Sequence, residues 1–325
     1  MGGFSYDRDV YGSDSSSGWN PSSSYSSSAA ASAMNARTLC SDMKPCDKVV
    51  KSYAKHPIII LFDVTGSNIE FAKITYDKMP MLYGQIEQKG YLTDFEILVG
   101  AIGDANCDDY PLQIGEFSKG IEIDSWLKKI VLERGGGGQK RESYELAAYF
   151  LLKNFEFQPD AEPVVFFLGD EAPYSSVDSY HIQHYICSEY KEASANTGEV
   201  FDALLRKVPN TYLFLNPYGG ISQNEMIENE WKNIFHKFPK HIIHMQPDNE
   251  KSIVDLMLGV IAMVGKNSFN SYKIDMENRG QTASRISCVE NALKDISTEL
   301  AVIPDAAVAN IPHTGKDRQR SNHRI

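Results

Sequence analysis

The hydrophobic pattern of this chain changes period repeatedly, and each change marks an element. Residues 57–62 (P-I-I-I-L-F) form an apolar run without a charge, β-branched at its start. That pattern predicts a strand buried on both faces of a parallel sheet. Residues 69–88 carry Ile69, Ile74, Met81, Leu82 and Ile86 at roughly helical spacing, and Pro80 should kink or interrupt the helix. A second buried strand is predicted over 95–102 (F-E-I-L-V-G-A-I). A half-exposed edge strand is predicted next, over 111–117, joined to it by a short antiparallel connection.

Helical spacing returns over 123–132 and over 142–155, where Leu146, Ala147, Phe150, Leu151 and Phe155 share a face. Residues 163–168 (P-V-V-F-F-L) predict a third buried strand. The stretch 174–207 reads as mostly helical though polar at its centre. Strands over 211–215 and 241–245 alternate with helices over 223–238 and 252–264. One more amphipathic helix is expected over about 283–300, on Ile286, Val289, Leu293, Ile296 and Leu300.

Strands alternating with helices predict an α/β fold. The expected form is a Rossmann-like, doubly wound, mostly parallel six-stranded sheet with one antiparallel edge strand and helices on both faces. Residues 1–50 are Ser-, Gly- and Ala-rich, a composition that buries too little surface to offset its ordering entropy, so a disordered leader is expected. The folded domain should span 55–267, and 268–325 should form an extension with the one amphipathic helix and a loose basic tail.

Composition narrows the function. With 43 acidic and 32 basic residues the net charge is −11, a poor match for a nucleic-acid backbone. The five cysteines form no C-x-x-C pair, which points to a reduced, cytoplasmic setting. The first forty residues hold no apolar signal segment. The run 253–264 is twelve residues long and contains Asp255, too short to span a bilayer. The 17 tyrosines and 15 phenylalanines are spread through strands and helices, as core packing requires, rather than gathered into a base-stacking surface.

The chemistry gathers at the end of the first strand. Asp63, Thr65 and Ser67 come directly after it at spacings of two, with Gly66 permitting a tight turn. Three oxygen-bearing side chains at a strand's carboxyl end suit a hard divalent cation. The third buried strand also ends in Gly-Asp, at Asp170. If these strands are neighbours, Asp63 and Asp170 face one cavity, and two close carboxylates repel unless a cation or a proton lies between them. The bland alternative is that Asp63 and Ser67 only cap the next helix.

D-V-T-G-S-N at 63–68 resembles the D-x-[ST]-x-S motif of von Willebrand factor type A domains, the first segment of their metal-ion-dependent adhesion site. G-D-E-A-P-Y at 169–174 resembles the third segment, written D-A-P-P-H in the subfamily associated with alpha-kinases and bacterial relatives. R-G-G-G-G-Q-K-R-E at 134–142 resembles that subfamily's glycine-rich second loop, G-G-G-D-x-P-E. The resemblance covers roughly 55–266 and implies a cation, Mg²⁺ in the first place and Mn²⁺ or Ca²⁺ as alternatives. Asp63, Thr65, Ser67 and Asp170 would then be metal ligands, directly or through water. Where the family places Thr or Asp in the second loop, this chain aligns Gln139, with Ser143 as a weaker substitute.

The resemblance further implies a non-catalytic protein-interaction module, in which a partner's Asp or Glu completes the coordination shell. Such domains serve adhesion, scaffolding or work with AAA+ ATPases and other assemblies. Two rival readings stand beside it. F-D-V-T-G-S also resembles the nucleophile loop of haloacid-dehalogenase-type phosphatases, with Asp63 attacking phosphorus and Asp170 with Glu171 or Asp178 holding Mg²⁺. That group generally needs an Asp where Thr65 stands. In the other rival, the metal site is vestigial and the sheet is a scaffold. His181 and His184, three apart with no Glu between them, read as surface or cap residues, and Asp104, Asp108 and Asp109 as a solvated hairpin loop.

Overall fold

The computed structural model describes residues 38–133, 140–216, 219–245 and 250–301. Six strands build the central sheet: β1 (His56–Asp63), β2 (Phe95–Ile102), β3 (Leu112–Ile114), β4 (Val164–Gly169), β5 (Asn210–Leu215) and β6 (Ile242–His244). Their spatial order is β6-β5-β4-β1-β2-β3. Every neighbouring pair is parallel except β2 and β3, which run antiparallel at the edge. The mostly parallel α/β architecture expected from the strand and helix alternation is the one that forms.

All eight residues of β1 are buried, because helices cover both faces of the sheet. Successive side chains on a strand point to opposite faces, and β1 divides accordingly. Ile58, Ile60 and Phe62 join a core with α1 (Ile69–Lys89), α6 (Ile253–Val264), α7 (Phe269–Asn278) and α8 (Ala283–Ala301). Ile59 and Leu61 join a second core with α3 (Tyr144–Asn154), α4 (Thr197–Lys207) and α5 (Ile221–Ile234). The short α2 (Glu122–Leu127) closes the first core near the edge strand.

Helix α6 is buried along all of its twelve residues, since α1 packs on one side and α8 on another. Its Asp255 is tolerated because Arg279 Nη1 lies 3.0 Å away, a buried partner for a buried charge. No described helix is long and apolar enough to cross a membrane.

The structure departs from the sequence reading in several places, the first being β3, expected half-exposed but buried along its length. Helix α1 runs through Pro80 without ending there; the ring removes one backbone donor, while Tyr76, Met79, Leu82 and Ile86 stay buried on either side. The helix expected over 123–132 is only α2 and a short turn after it. Residues 38–50, read as part of the leader, carry Leu39 and Met43 into the first core, and Val50–Ser52 pairs in parallel with Phe155–Phe157. The stretch 174–207 is not one helix. Ser176–Val177 pairs antiparallel with Ala195–Asn196, a short helical turn lies between them, and only α4 is a helix of length. Residues 1–37 and 302–325 lie outside the described residues.

Candidate functional site

Register alone brings the two aspartates together. In the parallel pairing of β1 with β4, Phe62 stands opposite Leu168. Asp63 is therefore level with Gly169, and Asp170 is one residue further on an adjacent strand, about 4.8 Å away in the pairing direction. On the other side of β1, Asp63 pairs with Ile102 of β2, and Asp104 lies two residues beyond that. Because β1 is central, with its sequence neighbour β2 on one side and β4 on the other, its carboxyl end opens at the crevice where open α/β sheets hold ligands.

Asp63 is fully buried and heavily bonded. Its Oδ1 accepts from the Thr65 backbone N–H (2.8 Å) and from the Thr65 hydroxyl (2.6 Å), and its Oδ2 accepts from the Tyr144 hydroxyl (2.9 Å). Asn68 ties off the loop by donating Nδ2 to the Asp63 carbonyl at 3.1 Å. Ser67 is exposed at the mouth. Burial pushes the Asp63 carboxyl up, against the pull of the Thr65 and Tyr144 hydrogen bonds.

Asp170 has the opposite circumstances. It is 1% exposed, and neither carboxylate oxygen has a donor at hydrogen-bond geometry. The Ser67 hydroxyl and the Asp63 carboxyl do interact with it. Burial, then the charges of Asp63 and Glu171, raise its pKa to about 9.

A third buried carboxylate lies near Asp63. Glu142 is 6% exposed, with Oε2 buried and unpartnered. Burial first, and then Asp63, Asp104 and Asp108, push its pKa to about 11, while the Thr65 hydroxyl acts in the opposite sense. Three contacts fix its position. Arg141–Glu142 pairs in parallel with Ala172–Pro173, immediately past Asp170. Arg141 grips Glu230 of α5 through two bonds of 2.7 Å and donates to the Pro173 carbonyl. The next residue, Ser143, donates its N–H to the Gly103 carbonyl at 3.0 Å.

The sequence pattern predicts one site holding Asp63, Thr65, Ser67 and Asp170, and the structure brings these four together. Gln139 lies outside the described residues. Ser143, the substitute, turns its hydroxyl to accept from the Ala105 N–H at 2.9 Å, a structural role. Glu142 and Tyr144 join the site without having been expected there. Glu142 had a signal, since it is the Glu that closes the glycine-rich motif. Tyr144 had none.

The 104–109 loop is less solvated than expected, since Asp104 and Asp108 are 2% and 8% exposed. Asp104 Oδ1 accepts from the Asn106 N–H (2.9 Å) and the Tyr174 hydroxyl (3.0 Å), and Asp108 Oδ2 accepts from the Asp104 N–H (2.7 Å). Asp108 serves its own loop, and Asp104 also ties that loop to Tyr174. His184 stacks on Tyr180 with ring centroids 5.7 Å apart, and His181 meets the Tyr180 ring edge-on.

Orphaned oxygens of Asp170 and Glu142 beside the Ser67 and Thr65 hydroxyls make a hard, all-oxygen donor set, which fits Mg²⁺, Mn²⁺ or Ca²⁺ rather than a soft metal. Among the described residues, no group of three or more His, Cys, Asp or Glu side chains is gathered as a self-sufficient metal centre. The candidate set therefore depends on hydroxyls as well as carboxylates.

No family model and no curated protein matches this chain. Among solved structures it is similar to proximal thread matrix protein 1 from the mussel byssus, at 12% identity and a TM-score of 0.43, over 65% of this chain and 49% of that one. It is also similar to the pilus adhesin SpaC from Lactobacillus rhamnosus GG in its open conformation, at 9% identity and a TM-score of 0.46, over 66% of this chain and 31% of that one. The chain thus spans less than half the length of either protein. Likeness at this level identifies no function.

Proposed function

We propose that this chain is a non-catalytic, divalent-cation-dependent protein-interaction module of the von Willebrand factor A type, with a site resembling a metal-ion-dependent adhesion site. The carrying observation is Asp170, a carboxylate 1% exposed with no donor at hydrogen-bond geometry on either oxygen, set against Asp63 on the neighbouring strand. Two buried carboxylates without a cationic partner are costly, and a divalent ion resolves that cost. Asp63, Thr65, Ser67 and Asp170 would hold the ion. When bound, such an ion supplies an electrophilic position that a partner's Asp or Glu can fill.

The bonding of Asp63 favours this reading over phosphoryl transfer. A nucleophile must be open to in-line approach by its substrate, whereas Asp63 is 0% exposed and three of its lone-pair sites already accept hydrogen bonds. As a ligand it would also orient Thr65, through that residue's N–H and hydroxyl. Titration calorimetry with MgCl₂ and MnCl₂ tests the proposal, with capture of partners in the presence and absence of EDTA as the second step. Wild type should bind ion and lose its partners in EDTA. Ser67→Ala, an exposed loop position, and Asp170→Asn should remain folded and lose both properties. Partner binding at full strength in EDTA overturns the reading.

A further inference from the structure

We propose that Cys46 and Cys187 form a redox modification site, closing into a reversible disulfide that ties residues 38–52 to the loop between Ser176–Val177 and Ala195–Asn196. The inference is independent of the metal reading above. All five cysteines are free thiols in the structure.

A backbone hydrogen bond sets the two cysteines side by side. The Asp47 N–H donates to the Ile186 carbonyl at 2.8 Å. That bond joins the peptide groups 46–47 and 186–187, and Cys46 and Cys187 flank it. A bond of this kind holds their Cα atoms within roughly 7 Å, the limit for bridging two cysteines without moving the backbone. Asp47 fastens the same place a second time. Its Oδ1 accepts from the Ser188 N–H (2.9 Å), and its Oδ2 accepts from the Ser188 hydroxyl (2.7 Å) and the Cys46 thiol (3.7 Å). These contacts hold Asp47 at φ 56, a left-handed conformation that Asp adopts more readily than most residues. Cys187 is close enough for its charge to act on the Cys46 thiol.

Access is the second argument. Cys46 is exposed and Cys187 partly so, whereas Cys288 is buried on α8. A small-molecule disulfide can therefore reach the pair and serve as oxidant. One cysteine thiolate attacks a sulfur of that disulfide, expels one small thiol and leaves a mixed disulfide. The other cysteine's thiolate then attacks the protein sulfur and expels the second small thiol. One S–S bond forms and one breaks: the protein gives up two electrons and two protons, and the small disulfide becomes two thiols. In a reducing compartment such a bond is transient, formed under oxidising conditions and reversed by thiols.

The rest of the segment defines what the bond would fasten. Leu39 and Met43 lie in the first core, and Val50–Ser52 pairs with Phe155–Phe157. Between them, Lys48 Nζ donates to the Ile114 (2.8 Å) and Gly115 (3.1 Å) carbonyls and pairs with Glu116 (2.9 Å). Residues 38–52 thus lie against β3, the edge strand, where uncovered backbone groups invite another strand to add. The disulfide would close a loop of about 140 residues, and closing a long loop restricts the unfolded chain strongly. Oxidation would therefore hold this covering segment in its seat.

The test uses the full chain, reduced, desalted and incubated with oxidised glutathione, then alkylated and read by intact mass and peptide mapping. Wild type should lose two hydrogens, remain a single chain and yield a linked Cys46–Cys187 peptide pair that dithiothreitol separates. The oxidised form should melt about 5 °C or more above the reduced form. Cys46→Ser and Cys187→Ser should each carry glutathione on the remaining cysteine and show no such rise. The wild-type map reads the pairing whether or not either variant folds. If Cys46 and Cys187 carry only glutathione, link to other cysteines or join two chains, the pairing is overturned. A Cys46–Cys187 bond that leaves the melting temperature unchanged overturns its fastening role.

Discussion

Tyr144 reaches Asp63 across the backbone of Gly169. A Cβ built on Gly169 would lie 1.8 Å from the Tyr144 hydroxyl oxygen, inside any permitted contact. The glycine is there for close approach. It lets a tyrosine from the start of α3 lie against the end of β4 and donate to the Asp63 carboxylate at 2.9 Å. Trp231 of α5 packs edge-on against the same ring at 5.3 Å, which leaves the ring no direction of escape.

Gly169→Ala should therefore be costly. The tyrosine is forced against Trp231, Asp63 loses its Oδ2 donor, and the overpacked core shifts. Together these should destabilise the chain by about 2–4 kcal/mol. Tyr144→Phe removes only the hydroxyl and should cost about 1–2 kcal/mol. Urea unfolding of both variants checks the ranking; equal costs would mean that the steric contact with Gly169 contributes nothing.

The strands and the two aspartates were legible because they rest on local pattern. An uncharged apolar run such as 57–62 has few other uses than a doubly covered strand, and Asp63 and Asp170 stand where two such runs end. Glu142 and Tyr144 were illegible as site residues because their roles come from non-local contacts, one with Ala172–Pro173 and one with Gly169. The stretch 174–207 misled for a different reason. Its Ile, Tyr and His spacing is compatible with a helix, but Asp178 and Asn196 turn their side chains to the backbone N–H groups of Tyr180 and Glu199 and start separate helices. Leu39 and Met43 were hidden by the serine-rich composition next to them.

Stability of the ion-free chain should fall as pH rises. Burial lifts Asp108 to about 6, Glu145 to about 8 and Asp170 to about 9, from ordinary values of 3.8, 4.5 and 3.8. The folded state thus holds protons that the unfolded state releases. The contribution of these groups is complete below about pH 4 and is lost as pH passes through the folded values, each group adding a slope of up to about 1.4 kcal/mol per pH unit. In EDTA the urea midpoint should be lower at pH 8 than at pH 5. Millimolar Mg²⁺ should raise it at pH 8 by offsetting the Asp170 share, and do little at pH 5, where a proton already neutralises Asp170. A midpoint that climbs from pH 5 to pH 8 in EDTA contradicts the buried-acid picture.

Helices α7 and α8 are fastened through α6. Asp255 on α6 and Arg279, just past α7, are 1% and 6% exposed and 3.0 Å apart, with Arg285 of α8 a second cation at 3.8 Å. Tyr272 donates to the Asp255 carbonyl and accepts from Arg279 Nη2 at 3.3 Å, so one buried polar knot joins all three helices. Removing one member of a buried pair leaves a charge without its partner, which costs about 3–5 kcal/mol, while replacing both with apolar residues is often near neutral. Arg279→Met should fall at the low end of that range, because Arg285 can still approach Asp255. Asp255→Leu combined with Arg279→Met should recover most of the loss. The double-mutant cycle, read by urea denaturation, should show coupling well above the roughly 0.3–0.5 kcal/mol seen between independent sites. Additive costs would instead assign the seating of α7 and α8 to the apolar contacts of Tyr272, Met276, Val289 and Leu293 with the first core.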